Sequence, residues 1–220
     1  MSYATLILGQ SGTGKSTSLR NLNPNDVLLI QVIKKPLPFR SSAWKPLTKD
    51  GGSIYVSDDV QKIMHAMQKT TKKIIVIDDY QYIMANEYMR RAQETGFSKF
   101  TEIGKKTWDV FNLAAQLDDD KRVYILSHTE ESDQGKTKMK TIGKMLDEKI
   151  TLEGMVTIVL QTAIINEQHV FLTKNNGQNT VKSPIDLFDN EHIENDLNQV
   201  DLAIQEFYGI TATAQSEENI

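Results

Sequence analysis

The stretch Gly9-Gln-Ser-Gly-Thr-Gly-Lys-Ser-Thr17 decides the fold, and it follows the apolar run Tyr3 to Leu8. It fits the pattern G-x-x-x-x-G-K-[ST] at every fixed position, and the apolar run is typical of a buried strand. Gly9, Gly12 and Gly14 have no side chain, so the backbone amides there can turn inward and surround an anion. The alternative is a glycine-rich turn without a ligand. We predict that the segment binds the phosphates of a nucleotide.

Each position of this loop has an expected role. Lys15 would reach the β- and γ-phosphates, and the Ser16 hydroxyl would bind Mg²⁺. A helix beginning near Lys15 would direct the positive end of its dipole at the phosphates. The residues predicted to contact the nucleotide are Gly9, Gln10, Ser11, Gly12, Thr13, Gly14, Lys15, Ser16 and Thr17.

A second motif, Lys73-Ile-Ile-Val-Ile-Asp78-Asp79, places two carboxylates directly after four aliphatic residues. At the carboxyl end of a buried strand beside the first one, Asp78 would hold the magnesium ion through a water molecule or through Ser16. The alternative is a strand that ends in a solvated Asp-Asp turn. The two motifs together predict a P-loop NTPase site more specifically than either motif alone.

The composition is that of a globular protein with one α/β domain and a small appendage. The 220 residues are 39% hydrophobic and 25% charged, with no cysteine and four histidines. We therefore expect no disulfide and no thiolate metal site, and Mg²⁺ is the only metal implied. No apolar run approaches the roughly 20 residues that a bilayer requires, and there is no signal segment. We expect a cytoplasmic protein without membrane contact.

The charges are distributed unevenly along the chain. All 25 lysines and arginines lie at or before Lys182, whereas nine of the 29 acidic residues follow it. A basic body suits a polyanionic partner, for which an acidic tail could compete. The alternative is that the acidic end is a solvated helix with a frayed terminus.

Strand and helix patterns alternate along the chain, which predicts an α/β fold. We expect a mostly parallel, five-stranded central sheet flanked by helices, with a β-hairpin at its edge. Further strands are predicted at residues 27–33, 123–126, 156–165 and 170–173, and helices from Asp58 or Asp59, at 98–117 and at 189–208. Residues 1–188 would form the core, and residues 189–220 an acidic C-terminal helix with a disordered tail from residue 211.

Basic residues outside the two motifs are candidates for nucleic-acid binding. Residues 130–144 contain few apolar residues and predict a mobile loop whose lysines could hold a phosphate backbone or a neighbouring subunit's nucleotide. The alternative is a solvated charge run. In the basic loop 34–53, Trp44 either stacks on bases or packs inside the protein. The predicted nucleic-acid-binding residues are Arg90, Arg91, Lys136, Lys138, Lys140 and Lys144.

Over roughly residues 3–188, the chain resembles the RecA-like ATPases, specifically the short phage-type proteins associated with single-strand annealing and recombination. The resemblance includes Leu126 to Thr129 and Val170 to Pro184 besides the two motifs. It implies ATP and Mg²⁺ as cofactors, ATP hydrolysis, and a first strand between the fifth and the fourth, followed by the third and second. It also implies single-stranded DNA as a partner and self-assembly into a ring or filament. A single-strand-binding protein is a further candidate partner, and a phage-encoded protein would act in the host cytoplasm.

The resemblance also implies catalytic roles for residues outside the loop. RecA proteins carry a glutamate after the second strand, but no acidic residue occurs here between Asp26 and Asp50. Asp79 is the best substitute for this base because it could accept a proton from water in line with the γ-phosphate. Glu130 is the second candidate. If neither serves, nucleotide binding would act mainly as an assembly switch.

Two further residues complete the predicted catalytic set, which also contains Lys15, Asp79 and Glu130. His128 falls where RecA carries a polar sensor of the γ-phosphate, although a structural histidine is equally compatible with the sequence. Lys174 corresponds to a lysine that would reach the ATP of the next subunit.

Other functional classes remain compatible with these motifs. A small-molecule phosphotransferase would need an arginine-bearing lid, and Arg90 with Arg91 does not lie in a segment that looks hinged. An AAA+-like motor or loader acting on a protein or nucleic acid would also use a basic residue in trans. A nucleotide-gated binding module with little turnover is a non-catalytic alternative.

Overall fold

The computed structural model of the chain describes residues 1–210, and the tail predicted to be disordered from residue 211 lies outside them. Within residues 1–210 there are nine β-strands and four α-helices. The strands are β1 (Tyr3–Gly9), β2 (Val27–Gln31), β3 (Ile54–Val56), β4 (Ile74–Asp78), β5 (Arg122–Glu131), β6 (Thr137–Met139), β7 (Ile158–Ile165), β8 (Gln168–Leu172) and β9 (His192–Glu194). The helices are α1 (Val60–Lys69), α2 (Gln81–Arg90), α3 (Ser98–Ala114) and α4 (Leu197–Tyr208).

The strands form one mixed, mostly parallel sheet in the order β3-β2-β4-β5-β1-β7-β8-β9, with β6 paired to β5. β7 runs parallel to β1, and the antiparallel pairs are β5 with β6, β7 with β8, and β8 with β9. The central order β2-β4-β5-β1-β7 confirms the expected order of the five strands. Because the carboxyl ends of parallel strands meet at one edge, Gly9, Asp78 and His128 lie at the same edge of the sheet.

Both faces of the sheet are buried, which explains the continuous apolar runs of β1 and β4. Along β1, Leu6 and Leu8 belong to one apolar cluster and Ile7 to the other, as the alternation of side chains in a strand requires. The first cluster includes residues of α1, α2 and α3, and the second includes residues of α4 and of the short 3-10 helix Ser16–Asn21. The sheet is therefore flanked by helices on both faces.

The predicted hairpin is confirmed as the pair β7 and β8, but it does not form the edge of the sheet, because β9 pairs with β8 on its outer side. Asn166 and Glu167 form its two-residue turn with positive φ angles of 49° and 65°. Two-residue hairpin turns of this kind need positive φ at both central positions, which asparagine adopts more readily than most residues. The turn lies beyond the carboxyl end of β1, so the hairpin reaches the edge that carries the glycine-rich loop.

The segment after the glycine-rich loop differs from the prediction. It is a 3-10 helix of six residues, Ser16–Asn21, rather than an α-helix beginning near Lys15. Ser18 Oγ donates to the Lys15 carbonyl oxygen at 2.6 Å, and Pro24 follows within one turn of the end. Ser18 competes for the backbone hydrogen bonds of a helix, and Pro24 cannot continue one, so the segment stays short. A segment of six residues has no large helix dipole.

The predicted mobile loop at residues 130–144 is wrong over its first ten residues. β5 extends to Glu131 and pairs with β6, with Glu130 opposite Lys138. The buried side chain of Met139 anchors this arm, and Gly135 supplies a positive φ of 73° in the connection. One buried methionine and one glycine are a weak sequence signal for a hairpin. The lysines of this segment therefore led to the prediction of a loop.

The predicted helix at residues 189–208 begins later than expected. Residues His192–Glu194 form β9, and α4 starts at Leu197, where the Asp196 side chain accepts a hydrogen bond from the Asn198 amide. Leu197, Val200 and Ile204 are fully buried, so α4 packs on the central sheet. Trp44 is 7% exposed and packs against Phe39, which agrees with the packed alternative for this residue. Among the described residues, no helix is both long and apolar enough to cross a membrane.

Candidate functional site at the carboxyl edge of the sheet

The glycine-rich loop, residues 9–17, leaves the end of β1 in a closely constrained shape. A Cβ at Gly9 would lie 1.9 Å from Thr162 Oγ1, so a side chain at this position would collide with β7. Thr162 Oγ1 in turn lies 2.6 Å from Thr13 Oγ1 across the loop. Gly12 and Gly14 have φ angles of 83° and 106°, which disfavour residues with a side chain. The loop glycines are therefore required by both space and backbone conformation.

Lys15 points back into this loop. Its Nζ donates to the carbonyl oxygens of Gly9 at 2.7 Å and Gln10 at 2.8 Å. Burial lowers the pKa of Lys15 to about 8, although the charges of Asp78 and Asp79 oppose this effect. The ammonium group thus lies among backbone carbonyls that an anionic ligand could replace as its partners.

Ser16 and Asp78, the two predicted magnesium ligands, are in direct contact. Ser16 Oγ lies 3.0 Å from Asp78 Oδ1 and 2.9 Å from Oδ2. Asp78 is 1% exposed, and its burial, reinforced by the charge of Asp79, raises its pKa. A divalent cation would offset this cost of ionisation.

The chemistry of this pair fits Mg²⁺ that arrives with a polyphosphate. Mg²⁺ usually takes one or two carboxylates from the protein and completes its coordination with waters and substrate phosphates. Among residues 1–210, no group of three or more His, Cys, Asp or Glu side chains could hold a metal. Ser16 and Asp78 are therefore suited to a cation that phosphates also coordinate.

Asp79 lies close to two basic side chains, Lys35 in the loop after β2 and His128 of β5. Lys35 Nζ lies 2.5 Å from Asp79 Oδ2, and His128 Nε2 lies 3.7 Å from Oδ1. Burial alone would raise the pKa of Asp79, but His128 and Lys35 outweigh burial and lower it. The pKa of Lys35 is raised, because its pairing with Asp79 outweighs its own burial. Asp79 is therefore ionised at neutral pH and faces the loop as a carboxylate.

Lys35 was not predicted from the sequence as a site residue, because it was included in the basic loop 34–53. It lines a cleft of about 250 Å³ together with Pro36, Asp79, His128 and most of the glycine-rich loop. Gln31 Nε2 donates to the Lys35 carbonyl oxygen at 3.0 Å, which fixes the backbone after β2. The signal in the sequence was the lysine pair in the region where the resemblance leads one to expect a glutamate.

Of the other predicted catalytic residues, His128 lines the 250 Å³ cleft, whereas Glu130 and Lys174 do not. His128 is within β5, opposite Gly9, because the strand does not end at Leu126 as predicted. Glu130 lies on the β5–β6 arm, 3.6 Å from Lys138, and is not among the residues that line the 250 Å³ cleft. Lys174 follows β8 toward the opposite edge, where its Nζ donates to the Asp189 carbonyl oxygen. Its proposed role in a neighbouring subunit stays a prediction.

The six predicted nucleic-acid-binding residues fall into two groups. Arg90 and Arg91 form ion pairs within the chain, with Asp58, Glu87, Glu94 and Glu102 as their partners. The lysines at 136, 138 and 140 alternate along β6 and its flanks, and those at 136 and 140 are exposed. Lys144 lies 3.9 Å from Glu148. The structure therefore brings three of the four lysines to one side of a strand and engages both arginines elsewhere.

These contacts assemble groups with complementary chemistry at one edge of the sheet. A glycine-rich loop with a buried lysine can receive an anion, a serine and a buried carboxylate can receive a divalent cation, and an ionised carboxylate lies beside them. No protein-family model and no curated protein matches the chain.

Proposed function

We propose that the protein is a RecA-like P-loop ATPase that binds ATP with Mg²⁺ at the glycine-rich loop and hydrolyses it. The observation that supports this most directly is the contact between Ser16 and Asp78, which are 62 residues apart in the sequence. Two motifs that are predicted to serve one magnesium ion meet at hydrogen-bonding distance. Together with the buried Lys15, this arrangement matches the electrostatic needs of phosphoryl transfer.

The residues of the cleft divide the chemistry among them. Lys15 and the loop amides would bind the phosphates, and Ser16 with Asp78 would hold Mg²⁺, which supplies charge neutralisation when bound. Asp79 would orient the attacking water, since its low pKa favours accepting a hydrogen bond over keeping a proton. Lys35, released from Asp79, would place a second positive charge near the terminal phosphate.

Single-stranded DNA is the partner that we propose for the β5–β6 arm. Lys136 and Lys140 are exposed there, and a row of lysines can follow a phosphate backbone without sequence preference. The arm continues the strand that carries His128, so the cleft and the arm belong to one element. Binding to DNA would then promote annealing or strand exchange, with ATP at the contacts between subunits.

Turnover of ATP, measured with and without single-stranded DNA, tests this function. We expect DNA to stimulate turnover, and Lys15→Ala to abolish nucleotide binding while the protein stays folded. If the wild-type protein shows neither DNA stimulation nor salt-sensitive DNA binding, the DNA-dependent part of the proposal is wrong. If it binds no ATP, the proposal fails entirely.

Substitution of the arm lysines separates DNA binding from catalysis. The double variant Lys136→Ala and Lys140→Ala should weaken DNA binding and reduce the dependence of log K on log salt by about one unit per lysine. Lys69→Ala, on the exposed end of α1, is the matched control and should change neither quantity. An unchanged salt dependence in the double variant would show that DNA does not contact the arm.

A nucleotide-gated binding module with little turnover is the second candidate. The observation in its favour is the ion pair between Lys35 and Asp79, which occupies the best available base. Single-turnover hydrolysis at the rate of free ATP, with ATP binding intact, would establish this alternative.

A further inference from the structure

A second and larger cleft, of about 640 Å³, lies on the other side of the glycine-rich loop. It is lined by the end of the loop at Thr17, by Arg20 of the 3-10 helix, and by residues of β8 and β9 that include His169 and Ile193. Its volume is within the range of small-molecule sites. Thr17 also lines the smaller cleft beside Asp79, so the two clefts are adjacent.

Asn195, directly after β9, lines this cleft with an unused side-chain amide. The residue is 2% exposed, and neither Nδ2 nor Oδ1 has a hydrogen-bond partner among residues 1–210. An unsatisfied buried amide costs free energy, so its presence beside a cleft needs a reason. The backbone of Asn195 is fixed, because its N–H donates to the His169 carbonyl oxygen and its carbonyl oxygen accepts from the Arg20 guanidinium.

The carboxamide lies close to the glycine-rich loop. A Cβ at Gly14 would be 3.1 Å from Asn195 Oδ1 and 3.1 Å from His169 Nδ1. His169 Nδ1 lies 3.1 Å from the Thr13 carbonyl oxygen, so β8 is tied to the loop at the same place. Because the side-chain amide of Asn195 makes no hydrogen bond, turning it toward a ligand in the cleft would break no existing hydrogen bond.

The order of the strands gives the direction of a bound nucleotide. Asp78 is on β4, two strands from β1 on one side, whereas β8 and β9 lie on the other side of β1. The terminal phosphates would face Ser16 and Asp78. The α-phosphate and the nucleoside would then extend past Thr17, toward the 640 Å³ cleft.

We propose that this cleft receives an adenine base and that Asn195 determines the choice of base. This inference depends on the proposed binding of a nucleotide at the loop. An asparagine amide offers a donor and an acceptor side by side, which match N7 and the N6 amino group of adenine. Guanine presents two acceptors on the same edge and would leave one amide group unpaired, and pyrimidines lack this edge.

Titration calorimetry of the full chain with Mg²⁺ and four ligands tests the inference. The ligands are ATP, GTP, CTP and inorganic tripolyphosphate, and the last one measures the loop without a base. We expect ATP to bind at least about 10-fold more tightly than GTP or CTP. Asn195→Leu, of nearly equal size, should weaken ATP about 10-fold and change tripolyphosphate binding less than twofold.

Two variants serve as controls. Gln199→Leu introduces the same side chain at an exposed position of α4 and should leave all four affinities unchanged. Asn195→Ala provides the same test with a smaller side chain if the leucine variant does not fold. The preference of the wild-type protein among the three nucleotides is a test that requires no variant.

The outcomes distinguish this inference from the proposed function. If the wild-type protein binds neither ATP nor tripolyphosphate, the proposed function is wrong and the inference fails with it. If tripolyphosphate binds but ATP binds no better than GTP or CTP, only the inference is overturned. The same conclusion follows if the Asn195 variants keep the wild-type preference for ATP.

Discussion

Asp79 has a left-handed backbone, with φ at 61°, immediately after a buried strand. Asp and Asn adopt this conformation more readily than other residues with side chains, so Asp79→Asn tests the carboxylate without straining the turn. We expect this variant to bind ATP within a few-fold of the wild-type protein and to lose about 100-fold or more of its turnover. Stopped-time assays of phosphate release, beside equilibrium binding, measure both quantities.

Asp109→Asn is the matched control for this substitution, because Asp109 pairs with Lys105 on the outer side of α3. It should leave turnover unchanged. If Asp79→Asn hydrolyses ATP normally, water is oriented by another group, and Glu130 is the next residue to substitute.

Lys15 gives the site a pH dependence with a defined sign. Its pKa of about 8 means that the charged form predominates at pH 7 and the neutral form at pH 9. Only the charged form attracts phosphates, so the affinity for ATP should fall about 10-fold between these pH values. Lys35, with a raised pKa, stays charged over this interval and should not contribute.

Affinity for ATP measured at half-unit steps from pH 7 to pH 9 checks this prediction. Lys15→Arg keeps its charge throughout and should bind ATP with no fall over the same interval. A flat profile in the wild-type protein would show that burial does not shift Lys15 as described.

Among individual residues, the sequence predicts those whose motif fixes both their type and their position. Ser16 and Asp78 were predicted because each stands at a defined place after an apolar strand. Lys35 and Asn195 were not, because their positions depend on how the loop after β2 and the turn after β9 pack against residues 9–17. No local pattern encodes such contacts between distant segments.

The helix α4 is fastened to the sheet by a buried ionic network. Arg122 Nε and Nη2 donate to Asp201 Oδ1 and Oδ2 at 2.9 and 3.0 Å, and the Tyr124 hydroxyl lies 2.6 Å from Oδ1. Burial alone would lower the pKa of Arg122, but Asp201 outweighs it and raises the pKa. The Arg122 guanidinium is therefore charged and paired with the Asp201 side chain inside the protein.

Asp201→Ala would leave the Arg122 guanidinium buried without a counter-charge. We expect the free energy of unfolding to fall by about 3–5 kcal/mol, as for other buried pairs from which one partner is removed. Urea denaturation measures this change. Glu206→Ala, an exposed position on the same helix, should change it by less than about 0.5 kcal/mol. A loss below about 1 kcal/mol in Asp201→Ala would mean that the network does not stabilise the fold.

Elements with strong local signals were predicted well, and those defined by tertiary contacts were not. The helix α1 begins where Asp59 caps it, and α3 follows the predicted spacing of apolar residues from Ile103 to Phe111. The strand β6 was missed because it has three residues and one buried side chain, Met139. Pairing with β5, rather than its own composition, makes this segment a strand.

For the whole molecule, we predict that the protein assembles. With a non-hydrolysable ATP analogue and single-stranded DNA, light scattering should show particles larger than a monomer. Lys174→Ala should bind ATP normally as a monomer and lose the turnover that depends on assembly, because Lys174 is proposed to act on the neighbouring subunit's ATP. Lys69→Ala is again the control. A protein that stays monomeric under all these conditions would exclude a role for Lys174 in trans.

The order of the five central strands could be expected only from the resemblance, because periodicity identifies strands but not their neighbours. The structure agrees with that order and adds β3 and β9, one at each end of the sheet. Both have three residues, so their propensity alone could not identify them.

The residues at the two ends of the parallel strands have different roles. Arg122, Asp201 and the hydrogen bond from Ser2 Oγ to the Ala114 carbonyl oxygen join elements at the amino ends of the parallel strands, whereas the glycine-rich loop and Asp79 lie at the carboxyl ends. Substitutions at the amino ends should therefore unfold the protein, whereas substitutions at the carboxyl ends should abolish the proposed nucleotide binding and leave the protein folded. The loops at the carboxyl ends, and with them the proposed chemistry, could therefore change while the contacts that keep the protein folded stay the same.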